Sequence, residues 1–262
     1  MAATGLHVET HGRGPALVLA HGFGGSARNW RPQLRALKDA FAITSYDARG
    51  HARSAPIAIA ADARAGAVVA HFAAVAAGAS AVPVIAGGLS MGAATALRFA
   101  LAQPERVRAL VLMAPPAGPA SGRGVSASAL EFASAIEQVG LEAAGARFAW
   151  GANAGLDPQA AAWVRAGFLE HDAQSLAHLL REYLARLEPA AQLAPALARL
   201  AVPTLVVVGE GDAASLPTAR ELAALLPDVR LELVPGAGHV VNLAQPERVN
   251  ALLRDFLAGL AP

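Results

Sequence analysis

Short apolar runs recur along the chain with turn-forming residues between them, and each run has the length of a β-strand. They occupy residues 16–20, 42–46, 82–86, 107–113, 203–208 and 230–234. Most are continuously apolar, which is typical of parallel strands covered on both faces. Helix-length segments such as 91–102 and 219–226 lie between them. The pattern predicts an α/β fold with a doubly wound, mostly parallel sheet flanked by helices, and a hairpin contributed by residues 6–9 as an antiparallel edge.

The alternation of strands and helices breaks between Met113 and Val202. Prolines and glycines follow Met113, and segments 129–139, 159–169 and 175–187 then carry apolar residues at helical spacing. We therefore predict a helical cap, residues 115–195, inserted after the sixth strand of a core made of residues 1–114 and 196–262.

The predicted cap is rich in aromatic residues, namely Phe132, Phe148, Trp150, Trp163 and Phe168. Packing of the cap onto the core is the favoured role for any one of them. Together they indicate an apolar roof over a site, in which Trp150 and Trp163 are the candidate substrate contacts.

Composition limits the classes of partner. The chain has 262 residues, 55% of them hydrophobic and 16% charged, which fits one globular domain with an insertion. Its net charge of +1 provides no field for nucleic acid or an anionic membrane surface. The absence of cysteine excludes disulfides and thiolate chemistry but leaves the redox compartment open. No signal peptide is visible, so the cytoplasm is the default location.

One long stretch without charged residues, 65–97, resembles a membrane span in hydropathy. It is interrupted by Pro83, His71, two serines and several glycines. These interruptions favour a helix, a strand and a second helix in succession. We therefore predict no membrane association for this stretch.

The strongest motif is Gly88-Leu89-Ser90-Met91-Gly92, which follows one predicted strand and opens one predicted helix. A nucleophilic serine at such a sharp turn needs small neighbours, because the backbone there is strained. The turn would expose the Ser90 hydroxyl above the sheet, at a helix N-terminus that favours developing negative charge. Ser90 is the predicted nucleophile.

A serine hydroxyl needs a base, and the base needs an orienting carboxylate. Asp212 follows the strand at 203–208, and His239 follows the strand at 230–234, so both fall in loops at the same sheet edge as Ser90. Asp212 is favoured over the rival acid Glu210 because it lies beyond the second glycine of its loop. Among the other histidines, those of the cap, His171 and His178, are expected to be solvent-exposed.

The loop His21-Gly22-Phe23-Gly24-Gly25 follows the first parallel strand. Its small residues let the backbone fold toward Ser90, so that the N–H groups of Phe23 and Met91 can form an oxyanion hole. His21 is expected to bond within the loop rather than act as a base. The charges of segment 46–54 are expected to form ion pairs that organise a loop.

These blocks, in this order, resemble the α/β-hydrolase superfamily across nearly the whole chain. The Gly-Leu-Ser-Met-Gly turn and the segment from His239 to Glu247 are similar to those of 3-oxoadipate enol-lactonases and related esterases, although Ala93 stands where members usually have glycine. The resemblance implies a carboxylic ester hydrolase that cleaves a small ester or lactone through an acyl-enzyme. Its triad would be Ser90, His239 and Asp212, with no metal or cofactor.

Other functions remain open at this point. A carbon–carbon bond hydrolase or a perhydrolase would use the same residues. A dinucleotide-binding oxidoreductase is a remote alternative, because residues 22–27 fit a G-x-G-x-x-A pattern after a strand. A receptor that keeps the fold without turnover is another. The apolar cap favours small, largely uncharged acyl groups over dicarboxylates, and the oligomeric state is open.

Overall fold

The computed structural model describes residues 5–116, 125–151 and 158–260. Seven strands form one sheet in the order β1-β3-β2-β4-β5-β6-β7. They are β1 (His7–His11), β2 (Ala16–Ala20), β3 (Ala42–Asp47), β4 (Val84–Leu89), β5 (Val107–Met113), β6 (Thr204–Gly209) and β7 (Val229–Val234). The predicted α/β fold is confirmed, since each predicted apolar run forms a strand with ends within three residues of those expected.

Strands β2 to β7 are parallel, and β1 is the one antiparallel strand of the sheet in the described residues. The predicted antiparallel edge is therefore present. It is not a hairpin, because β1 pairs with β3, His7 opposite Asp47, and not with β2, the next strand along the chain.

Helices cover both faces of the sheet. They are α1 (Arg31–Leu37), α2 (Ala65–Ala79), α3 (Met91–Ala102), α4 (Val125–Phe148), α5 (Pro158–Phe168), α6 (Ala173–Glu182), α7 (Ala190–Leu197), α8 (Leu216–Leu225), α9 (Val241–Ala244) and α10 (Pro246–Ala258). Side chains of α2, α3 and α8, such as Phe72, Phe99 and Leu222, pack on one face. Those of α1 and α10, such as Leu37 and Leu253, pack on the other. Continuous apolar strands thus have an apolar layer on each side.

Helices α4 to α7 lie between β5 and β6, as the sequence predicts for the cap. The predicted helix 129–139 ends where α4 breaks, at Gly140 with φ of 78°. The insertion follows the fifth strand, so its placement after the sixth was wrong. The reason is that the described N-terminal segment supplies a single strand, which pairs directly with β3. The cap boundaries at 115 and 195 stay a prediction.

The uncharged stretch 65–97 folds as α2, β4 and the start of α3, in the predicted succession. Within the described ranges, none of the helices has the length and apolar character needed to cross a membrane.

Candidate active site

Ser90 lies between the last residue of β4 and the first residue of α3. Its backbone has φ of 51° and ψ of −112°, a conformation that side-chain-bearing residues seldom adopt. Its N–H donates to the Met113 carbonyl at 2.8 Å. A Cβ at Gly88 would lie 2.3 Å from the Gly92 carbonyl carbon, and a Cβ at Gly92 would lie 2.0 Å from the Ala20 oxygen. The two glycines of the motif are therefore required by space at this turn.

Asp212 and His239 meet at the same sheet edge, in the loops that follow β6 and β7. Asp212 Oδ2 lies 2.8 Å from His239 Nδ1. The loops are joined by a hydrogen bond of 2.9 Å from the Gly211 N–H to the Ala237 carbonyl. A Cβ at Gly209 would lie 2.3 Å from that same carbonyl oxygen, so a glycine permits this close approach.

Asp212 is held as a carboxylate. Its side chain is 4% exposed, whereas that of His239 is 35% exposed. Burial raises the pKa of Asp212, but hydrogen bonds from His239 and Ser215 outweigh burial, and the net pKa lies below its ordinary value. The rival acid Glu210 is exposed, and its carboxylate has no partner among the described residues.

Ser215 is a neighbour of this pair that sequence reasoning missed. Its N–H donates to Asp212 Oδ1 at 3.2 Å, and its hydroxyl lies 3.4 Å from His239 Nδ1. The side chain is 1% exposed. A serine three residues after an acid is a common turn residue, so no local signal marks it.

Ser90 lies at the same sheet edge, because it directly follows β4. The ends of three neighbouring strands are aligned: Leu89 of β4 pairs with Met113 of β5, and Met113 pairs with Val207 of β6. Among the described residues, the Ser90 hydroxyl has no hydrogen-bond partner. Nucleophile–base hydrogen bonds are often long in the absence of substrate. Because Nδ1 of His239 is bound to Asp212, Nε2 is the ring nitrogen left for proton transfer.

The loop after β2 passes directly against Ser90. A Cβ on Gly22 would lie 3.6 Å from the Ser90 Cβ. Within the described part of the chain, neither the Phe23 N–H nor the Met91 N–H finds an acceptor. Two free donors next to a serine are what an oxyanion hole needs.

Three buried imidazoles lie behind this loop. His21 Nδ1 donates to the Gly22 carbonyl at 2.7 Å, which confirms its predicted bonding within the loop. Its Nε2 accepts the N–H of Ala48, in the loop after β3, at 2.9 Å. Burial lowers the pKa of His21 to about 4. Its ring lies 4.8 Å from that of His51, which in turn lies 4.9 Å from that of His171.

The exposure expected for His171 was wrong, because only 7% of this residue is accessible. Its Nδ1 accepts the Ala52 N–H at 2.9 Å, so it joins the predicted cap to the core. The ion pairs expected in segment 46–54 are present: Arg53 Nε donates to the buried Asp47 carboxylate at 2.8 Å.

Aromatic rings of the α4–α6 region pack over Phe23. The ring of Phe132 lies 5.5 Å from that of Phe23, and the ring of Phe168 lies 6.3 Å from it. Trp150 contacts Phe168 edge-on at 5.4 Å. Trp163, by contrast, is 40% exposed, and no ring contact joins it to this group in the described structure. Of the two predicted substrate contacts, only Trp150 lies in the aromatic group.

Two clefts adjoin the site without including its three central residues. One, lined in part by Tyr46, Arg49, Asp62 and His71, reaches Met91. The other lies between α3, α7 and α8 and includes Pro115 and Pro116. Within the described ranges, no group of three or more His, Asp or Glu side chains is arranged to hold a metal ion.

Comparison with known proteins identifies the family. Residues 17–252 match the Alpha/beta hydrolase family. The proposed carbamate hydrolase RutD of Escherichia coli O7:K1 is 34% identical over 260 residues, covering 94% of this chain and 92% of that protein.

Solved structures agree with this match. A thermophilic esterase from Thermogutta terrifontis superimposes with a TM-score of 0.81 at 26% identity, covering 98% of this chain and 94% of the other. The enol-lactonase from Burkholderia xenovorans LB400 has a TM-score of 0.84 at 23% identity, covering 97% and 96%, and shows the shared fold. The predicted hydrolase family is confirmed, and the oxidoreductase alternative loses its support. This chain belongs to the alpha/beta-hydrolase family.

Proposed function

We propose that this chain is a serine hydrolase that cleaves a small carboxylic ester or lactone, with Ser90 as nucleophile, His239 as base and Asp212 as orienting acid. The observation that carries the proposal is the 2.8 Å hydrogen bond between Asp212 and His239, at the sheet edge where Ser90 adopts its strained turn. A half-buried serine, a carboxylate and an imidazole, in the chain order Ser90, Asp212, His239, are the parts of a nucleophile-base-acid triad.

The reaction follows from these positions. The Ser90 oxygen attacks the carbonyl carbon while His239 takes its proton through Nε2. The N–H groups of Phe23 and Met91 stabilise the oxyanion. His239 then gives its proton to the leaving alkoxide, and an acyl-enzyme forms. Water repeats the attack, with His239 again as base, and releases the acid.

Asp212 has a supporting part in both steps. It remains a carboxylate because its pKa is held below the ordinary value. It therefore fixes the proton of His239 on Nδ1 and stabilises the imidazolium that forms as Ser90 attacks.

The surroundings of the site favour a small, largely uncharged acyl group. Phe23, Phe132, Phe168 and Trp150 form a compact aromatic group over the proposed oxyanion hole. An apolar roof of this kind disfavours a second carboxylate, because burying an unpaired charge is costly. A strong preference for dicarboxylate substrates would contradict this part of the proposal. Trp150, which contacts Phe168, is the proposed substrate contact in this aromatic group, and the exposed Trp163 stays a candidate.

A carbamate is the second candidate substrate. It is favoured by the 34% identity with the proposed carbamate hydrolase RutD across 94% of this chain. The same triad would attack a carbamate carbonyl, which is less electrophilic than that of an ester because nitrogen donates into it. Carbon–carbon bond hydrolysis and perhydrolysis would use the same three residues.

The decisive experiment measures hydrolysis of p-nitrophenyl esters from acetate to octanoate, simple lactones and an alkyl carbamate. Wild type is compared with Ser90→Ala and with Ser80→Ala, a control serine at the end of α2. We expect Ser90→Ala to lose about 10⁶-fold in kcat, with Ser80→Ala unchanged. A fluorophosphonate should label Ser90 in wild type and in Ser80→Ala, but should not label Ser90→Ala at this position.

The results separate the alternatives. The chain-length optimum would size the acyl pocket, and a carbamate turned over faster than every ester would make the second candidate the better one. Retention of ester turnover by Ser90→Ala would overturn the triad. Failure of wild type on every substrate, with no labelling of Ser90, would favour a receptor that has kept the fold without turnover.

A further inference from the structure

Gly24, which follows Phe23 in the loop after β2, is fixed by two side chains. Its N–H donates a hydrogen bond of 3.0 Å to Nε2 of His51. Its φ is +70°, and a Cβ on it would lie 2.4 Å from the ring of Phe168. Both conformation and space therefore require glycine here. The loop is held between a histidine of the core and a phenylalanine of α5.

Both ring nitrogens of His51 have a defined role. The ring is fully buried, and burial, together with the neighbouring His21 and His171, lowers its pKa well below the ordinary value. The ring is therefore neutral at neutral pH. Nδ1 faces the Arg49 carbonyl at 3.5 Å, so the lone pair of Nε2 is the acceptor for the Gly24 N–H.

The α5–α6 region supports the same ring. His171, which lies between these two helices, contacts His51 edge-on, and its Nδ1 is bound by the Ala52 N–H. Its buried Nε2 has no hydrogen-bond partner of normal geometry among the described residues. The backbone of Gly24 is nevertheless close enough to raise the pKa of His171, against the larger lowering by burial. His51 is thus enclosed between the loop after β2 and this region.

We propose that His51 is a positioning residue for the oxyanion hole, because it fixes the peptide that joins Phe23 to Gly24. The inference rests on the proposed function, in which the Phe23 N–H binds the oxyanion. The ring of Phe23 also meets that of His51 edge-on, with centroids 5.8 Å apart. One imidazole therefore restrains Phe23 through both its side chain and its following peptide. A donor that is already fixed needs no reorganisation as negative charge develops.

The test compares two polar substitutions at the same site. In His51→Gln the amide oxygen can accept at about the position of Nε2, whereas in His51→Asn the shorter side chain reaches only the level of Nδ1. His178→Leu, at a half-buried histidine of α6, is the control. Rates on the best p-nitrophenyl ester are divided by the fraction of protein that a fluorophosphonate titrates, so that misfolded protein is not counted.

We expect His51→Asn to lower kcat about 10- to 100-fold per titrated serine, less than the loss of a whole oxyanion donor. KM should change by less than about threefold, because the ground-state carbonyl uses the hole weakly. His51→Gln should recover most of the loss, and His178→Leu should match wild type. Inhibition by an alkyl boronic acid, whose adduct with serine places an oxygen in the hole, should weaken in His51→Asn by the factor lost in kcat/KM.

Two results would overturn the inference while the proposed function stands. One is a wild-type kcat per titrated serine in His51→Asn. The other is a fall in kcat that His51→Gln does not recover and that is accompanied by a rise in KM. That combination would show that His51 has a general packing role. If the wild-type protein showed neither turnover nor labelling of Ser90, the proposed function itself would be overturned, and this inference with it. The two failures are therefore distinguishable.

Discussion

The N–H of Ala52 donates a hydrogen bond of 2.9 Å to Nδ1 of His171, although Ala52 has a φ of 42°. A residue with a Cβ pays about 1–2 kcal/mol for a left-handed backbone, whereas glycine adopts it freely at a smaller entropic cost. This contact between the core and the α5–α6 region is therefore made by a strained residue.

We predict that Ala52→Gly stabilises the protein by about 0.5–1 kcal/mol, because strain is relieved and the N–H remains. The midpoint of thermal unfolding should rise by about 1–4 °C. Ala58→Gly is the matched control: Ala58 is exposed, lies in the same segment and does not have a positive φ. It should lose about 0.4–1 kcal/mol through unfolded-state entropy. Equal changes of the unfolding midpoint in Ala52→Gly and Ala58→Gly would show that the backbone of Ala52 is not strained.

The turn at Ser90 gives a sharper steric prediction. In Gly92→Ala the new Cβ would lie 2.0 Å from the Ala20 oxygen and 2.5 Å from its carbon, so α3 or the end of β2 must move. We expect a loss of about 3 kcal/mol or more in unfolding free energy, and ester turnover below about 1% of wild type as the oxyanion donors separate.

Gly66→Ala is the control for this substitution. Gly66 lies in the first turn of α2, and nothing lies within 4 Å of the Cβ it would gain. Alanine is a better helix former, so unfolding free energy should rise by about 0.5–1 kcal/mol with activity unchanged. A Gly92→Ala variant as stable as wild type would contradict the packing at this turn.

Local sequence patterns predicted most of the fold and the candidate catalytic residues at the strand ends. The turn around Ser90 was predictable because two glycines, a strand and a helix adjoin it in sequence, and the loops of Asp212 and His239 follow strands in the same way. Contacts between segments that are distant in the sequence could not be predicted in this way. The burial of His171 depends on α5 and α6 resting against Ala52 and Gly24, and the exposure of Trp163 depends on which face of α5 turns outward. No local pattern records either arrangement.

The choice between two acids is testable by their different contacts. Asp212→Asn should lower kcat by about 10⁴-fold, because an amide cannot hold the reactive tautomer of His239 or stabilise its charged form. Glu210→Gln should leave kcat unchanged, since the Glu210 side chain is exposed and has no partner in the described structure. The rates of the two variants on one activated ester decide the question. A larger loss in Glu210→Gln would reverse the assignment.

Asp212 should also contribute to the pH dependence of stability. Burial raises its pKa in the folded protein, but the interactions with His239 and Ser215 together outweigh burial, so the net pKa is lowered. A lowered folded pKa adds stability above the unfolded value, about 3.9, and that stability is lost as the pH falls through the folded pKa. In denaturant titrations from pH 7 to pH 3, wild type should therefore lose more unfolding free energy than Asp212→Asn. Parallel curves would show that Asp212 is not stabilised as a carboxylate.

Ser215 provides the finest test of the triad geometry. Its hydroxyl lies 3.4 Å from Nδ1 of His239, and its N–H binds the oxygen of Asp212 that His239 does not use. In Ser215→Ala the N–H stays and only the hydroxyl is lost. A single hydrogen bond of this kind contributes about 0.5–1.5 kcal/mol, so we expect kcat to fall about 2- to 13-fold with KM unchanged. Ser215→Thr keeps the hydroxyl and should retain more of the activity than Ser215→Ala. If Ser215→Ala instead had the full activity of wild type, the hydrogen bond that His239 Nδ1 donates to Asp212 would by itself suffice to orient His239.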